Sequence, residues 1–158
     1  MSTKLRNQKG FTLVELLIVV IILGILAAVV IPQFNSAASE SKEAAMASNL
    51  ATIRQAIEMY KVQHNDNFPA STADGGTVLI NQLTTTTAIG GGAGTAYGPY
   101  LRNSFPKNPV NSLNTVEQVT TDPTSGDDSH GWTYNTVTGQ FWSDAAGSGP
   151  SGATYFSL

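Results

Sequence analysis

Residues 11–31, FTLVELLIVVIILGILAAVVI, form a continuous run in which Thr12, Glu15 and Gly24 alone are not strongly apolar. At a rise of about 1.5 Å per residue the run makes a helix about 31 Å long, enough to cross the roughly 30 Å hydrocarbon core of a bilayer. Lys4, Arg6 and Lys9 precede it, and no Lys or Arg follows until Lys42. The positive-inside rule therefore holds the first residues in the cytoplasm and sends the remainder outward.

Glu15 is the anomaly, because a carboxylate deep in lipid costs on the order of 2.5 to 3.5 kcal/mol. Near the end of a span the cost falls, and snorkelling towards the interface reduces it further. A secretory signal peptide would have a shorter apolar core, about 7 to 15 residues, and a small-x-small cleavage site. LAAVV at residues 26–30 is a poor site of that kind. A plain single-pass anchor accounts for length and orientation but leaves Glu15 without a purpose. An acid tolerated at the interface is the bland alternative; acids within spans are by default functional.

KGFTLVELL (residues 9–17) resembles the processing site of type IV prepilins and of the pseudopilins of type II secretion: a short basic leader ending in Gly, then Phe, then Glu at the fifth mature position. LGILAAVVIPQF (23–34) continues that family's pattern through the proline. The resemblance implies cleavage between Gly10 and Phe11 by a prepilin peptidase, N-methylation of Phe11, and polymerisation through the N-terminal helix. It further implies that Glu15 pairs with the Phe11 amine of a neighbouring subunit and sets axial register. A buried ion pair about breaks even in stability but is costly to break in half, so it suits register better than affinity. Most assembly energy must then come from packing of apolar helices. Pro32 removes a hydrogen bond to residue 28, so a kink or melting just before it is expected, and the resemblance makes Gly24 to Pro32 the extensible part of the filament. The competing reading is that Pro32 marks the membrane exit.

Beyond Pro32, residues 35–63 are rich in helix formers and free of Gly and Pro. Met46, Leu50, Ile53, Ile57 and Tyr60 recur at spacings of four and three and form one apolar stripe, with Glu43, Arg54, Glu58 and Lys61 elsewhere. Anchor and amphipathic stretch together predict one helical rod over 11–63, ended by the turn formers of HNDNFPAS (64–71). TVLINQL (77–83) reads as a short helix or strand, and TTTTAIGGGAG (84–94) as a flexible surface loop. Those glycines are no phosphate loop, since no Gly-Lys-Ser/Thr follows. Tyr100, Leu101 and Phe105 are candidate core. HGWTYNTVTGQFWSD (130–144) predicts a hairpin turning at Thr138-Gly139, its aromatics filling a small core.

Chemistry in this head is sparse. His64 lies at a helix end and His130 in a loop, and the consecutive DDSH of residues 127–130 is not how a catalytic triad converges. Asp122, Asp127 and Asp128, with Ser129, are hard oxygen donors suited to calcium, although their spacing does not match an EF-hand. Major pseudopilins carry a calcium loop in this region, but the usual aspartate-rich pattern is missing here, so calcium and a solvated Asp/Ser turn both stand open. Cysteine is absent, which excludes disulfides and thiol ligands, and no basic cluster follows Gly10, which argues against nucleic acid.

The expected architecture is α+β, a long N-terminal helix packed on a small antiparallel β-sheet head. Its parts are a cleaved leader (1–10), a transmembrane and assembly helix (11–32), an amphipathic helix (33–63) and a head (64–158). The expected function is structural rather than enzymatic: a subunit of a type II secretion pseudopilus or type IV pilus-like filament. Its implied partners are copies of itself, prepilin peptidase, and an inner-membrane assembly platform with its ATPase. The location is the inner membrane, N-terminus cytoplasmic and head extracytoplasmic, and then the filament. The alternatives are a type IV pilin for adhesion, motility or DNA uptake, and a tethered, non-polymerising binding module with an aromatic or calcium-binding head.

Overall fold

The computed structural model describes residues 10–71, 76–102 and 104–158, Pro32 by its backbone alone. The leader bases Lys4, Arg6 and Lys9 lie outside the described residues. Helix α1 runs Leu13–Gln63 and helix α2 Thr77–Thr84. Strands β1 (Val116–Val119), β2 (Trp132–Asn135) and β3 (Phe141–Ser143) follow, then one 3-10 turn at Tyr155–Ser157. The chain divides into two compact units, residues 1–38 and 39–158.

Among the described residues of the first unit none is buried, and every residue from Phe11 to Ile31 is exposed. The second unit holds the core. Met46, Leu50, Ile53, Ile57 and Tyr60, the predicted stripe, are all buried. They pack with Leu79 and Leu83 of α2, with Leu101 and Phe105, and with Val116, Trp132, Tyr134 and Phe141 of the sheet. Each such aliphatic side chain contributes about 1.5 to 3 kcal/mol by leaving water. α1 ends where Asn65 and Asp66 turn left-handed (φ 54° and 65°), with Asp66 N–H donating back to Lys61 O at 3.1 Å.

The sheet has the order β1-β2-β3 and is mixed rather than antiparallel as expected. The hairpin is where the alternation placed it, with Trp132 opposite Ser143 and Tyr134 opposite Phe141. β1 joins β2 in parallel, Val116 opposite Trp132, which requires the chain to cross over through residues 120–131 before re-entering the sheet. No local pattern in the sequence encodes that return. Gly139 closes the hairpin turn at φ 73°, and a Cβ there would lie 2.1 Å from the Phe68 ring.

TVLINQL resolves as helix, its Leu79 and Leu83 buried on one side. The glycine-rich stretch expected to be flexible is hydrogen-bonded structure instead. Thr87 exchanges backbone hydrogen bonds with Tyr97 (2.9 and 3.0 Å), and Gly91 O accepts from Gln82 Nε2 (2.8 Å). Its anchor is His64, 1% exposed, whose ring stacks on Tyr60 at 3.7 Å between centroids. His64 Nδ1 faces Tyr60 O at 2.8 Å, and a carbonyl only accepts, so that nitrogen carries a proton; Nε2 meets Thr87 Oγ1 at 3.0 Å.

Candidate assembly and processing site

Residues 10–12 are non-helical, and α1 begins at Leu13. Thr12 is what stops the helix there. Its Oγ1 accepts from Glu15 N–H at 3.2 Å, while a Glu15 carboxylate oxygen accepts from Thr12 N–H at 2.9 Å and from Thr12 Oγ1–H at 2.8 Å. This reciprocal arrangement is a capping box, which satisfies donors that the first turn of a helix otherwise leaves orphaned. Phe11 and Glu15 are both exposed, and four residues of helical spacing separate them by about one turn. Thr12 was not singled out from the sequence, although T-x-x-E ahead of an apolar run is itself a capping signature.

α1 remains helical across Gly24 and Pro32, so the melting expected before Pro32 is not present in the single chain. One missing N–H is a local defect, and the cooperativity of a long helix carries the backbone through it.

The three candidate calcium ligands do not converge. Asp122 accepts from Asn135 Nδ2 at 2.6 Å, and Asp127 from Ser129 N–H at 2.9 Å. Asp128 accepts from Ala146 N–H at 3.1 Å and from Asn111 Nδ2 at 3.4 Å. Among the described residues no three His, Cys, Asp or Glu side chains group as a metal site would require. With their oxygens turned to protein donors, these residues do not fit a calcium cage and behave as turn acceptors. Hydrogen bonding from the Ser129 side chain, and then from its backbone, holds the Asp127 carboxyl below the usual aspartate range. The organising residue of the turn is Asp144, unremarked in the sequence and 2% exposed, which accepts from Asp127 N–H (3.2 Å) and His130 N–H (2.7 Å). His130 Nδ1 contacts Ser129 Oγ at 2.9 Å.

Two charged residues of α1 that lie off the apolar stripe bind the C-terminal part of the chain. Arg54 donates to Phe141 O through Nε (3.0 Å) and Nη2 (2.8 Å), and to Leu158 O through Nη2 (3.1 Å). Partial burial draws its guanidinium pKa down. Glu43 accepts from the N–H (3.2 Å) and the hydroxyl of Ser151. Neither role leaves a local sequence signal, since each partner lies roughly a hundred residues away along the chain.

The family model described as the prokaryotic N-terminal methylation motif matches residues 5–31. Type II secretion system core protein G of Pseudomonas aeruginosa is 42% identical over 80 residues, 50% of this chain and 54% of the relative. Its namesake in Aeromonas hydrophila is 35% identical over 79 residues, 50% of this chain and 54% of the relative. The type IV major fimbrial protein FimA of Dichelobacter nodosus is 51% identical over 51 residues, 32% of this chain and 33% of the relative. The chain spans about half the length of these two core G relatives. No solved structure matches. The chain thus carries the prokaryotic N-terminal methylation motif, is similar over about half its length to type II secretion core G proteins, and has a pilin-like α+β arrangement.

Proposed function

We propose that the protein is a structural filament subunit, cleaved between Gly10 and Phe11, methylated at Phe11, and polymerised through α1 into a type II secretion pseudopilus or a related pilus. One observation carries the reading: every side chain from Phe11 to Ile31 is exposed and no apolar one among them belongs to the buried core, so lipid or other copies must cover the run. α1 is long and apolar enough to cross a membrane. In this reading it first anchors the subunit, N-terminus in the cytoplasm, and later packs in the filament core.

Glu15 then has successive partners. In the single chain its carboxylate is held by Thr12, and in the filament by the new Phe11 amine of a neighbour, which replaces neutral donors with a cationic one. Gly24 and Pro32 give the intervening helix its weakest points and supply the extensibility of the assembled fibre. Prepilin peptidase, an assembly platform and its ATPase are the partners this role requires. The core G relatives favour secretion over twitching or adhesion.

The test is Glu15→Leu in cells that make filaments from the wild-type protein. Filaments or secretion should be lost, while mass spectrometry still finds the chain starting at Phe11; normal filaments would sink the register role. An N-terminus of the mature wild type anywhere other than methylated Phe11 would sink the processing claim.

A further inference from the structure

Within the second unit, the solvent side of α1 and the Gly98–Tyr100 segment enclose an open groove of about 480 Å³. Thr52, Gln55, Met59 and Gln63 form one wall, Pro99 and Tyr100 the other. No residue of the groove carries a formal charge. Met59 is 53% exposed there, and Val62, one helical step further, is 77% exposed. Large apolar side chains so open to water on the outer side of an amphipathic helix call for a covering partner.

We propose that a second copy of this chain seats in this groove and makes a lateral contact between heads. The inference rests on the filament reading above. Charge selects the occupant. The chain carries a formal charge of −3, so two copies repel one another over most of their surfaces and meet at least cost where neither presents a charge. The same head has uncharged apolar tips to offer, Val137 at 64% exposure and Ile89 at 50%, neither of which lines the groove. A groove and a tip at different places on one molecule form a head-to-tail contact, which propagates into a filament instead of closing as a dimer.

The experiment uses the full chain in cells that assemble it, with a photo-activated cross-linker in place of Gln55 and, separately, Met59→Glu and Met59→Leu. Irradiation should give an adduct of twice the subunit mass. Met59→Glu should lower filament yield at least tenfold while leaving the thermal midpoint of the head unchanged, and Met59→Leu should assemble within twofold of wild type. An adduct with a different protein, or filaments from Met59→Glu at wild-type yield, overturns the proposal. Absence of filaments from the wild type would instead defeat the structural-subunit reading itself.

Discussion

α1 is one continuous helix with two unlike halves. From Leu13 to Ile31 it is almost wholly apolar and buries nothing; from Met46 to Tyr60 it buries a single stripe and leaves the rest towards water. Both halves are helical for the same local reasons, yet their stability has different sources. The first draws on an environment outside the chain, and the second on Trp132, Tyr134, Phe141 and the leucines of α2. A hydrophobic residue therefore has opposite meanings in the two halves, as an anchor or contact in one and as core in the other.

The sharpest way to break this comparison is to truncate the same residue type in each half. Leu50→Ala should destabilise the head by roughly 2 to 5 kcal/mol, because it opens a cavity at a fully buried site. Leu17→Ala, at an exposed site, should leave head stability within about 0.5 kcal/mol of wild type. Urea unfolding followed by the fluorescence of buried Trp132 reports both, and equal effects would refute the division.

Next in size is Arg54→Ala, which leaves Phe141 O without its α1 donor and frees Leu158 O. A loss of about 1 to 3 kcal/mol is expected, with faster amide exchange in residues 154–158. Arg54→Lys should recover only part of it, because a single ammonium cannot reproduce the guanidinium fork.

Alkali should weaken the core half. Burial, with Tyr100 nearby, pushes the Tyr60 phenol up to about 12, and burial raises Tyr134 as well. An unfolded tyrosine ionises near pH 10. Above that pH the unfolded chain sheds protons that the folded head keeps, so stability is complete below about pH 10 and declines as pH rises towards 12. Tyr60→Phe should flatten the alkaline limb of a stability-against-pH curve.

The smallest effect belongs to the exposed turn at Asp127. Its carboxyl is held low in the folded state, so the contribution is present above the unfolded value, about pH 3.9, and fades as pH falls below it. Asp127→Asn should remove this shallow acid dependence, read from thermal midpoints between pH 5 and 2.5, with neutral-pH stability barely changed.

Helical content was legible because it is periodic. The apolar run, the core stripe from Met46 to Tyr60 and the hairpin around Gly139 each follow from side-chain spacing along a few neighbouring residues. The parallel pairing of β1, the His64–Thr87 pin and the Arg54 and Glu43 ties were not, because each joins residues far apart in the chain. The aspartates show the limit from the other side. Oxygen donors clustered in sequence left a cation and a simple turn both open, and the fold turns them to backbone N–H groups and to the Asn111 and Asn135 side chains.

What the sequence by itself determined is the apolar first half of α1, with its length, the basic residues ahead of it and the Thr12-x-x-Glu15 pattern that caps it. All of these are local properties that need no partner from the rest of the chain. Tertiary structure decided the head, where a mixed sheet, a pinned loop and an uncharged groove exist only once distant segments meet. The physical reason is range: capping and hydropathy act within one helical turn or one membrane thickness, whereas strand pairing and burial depend on which remote residues the chain brings together.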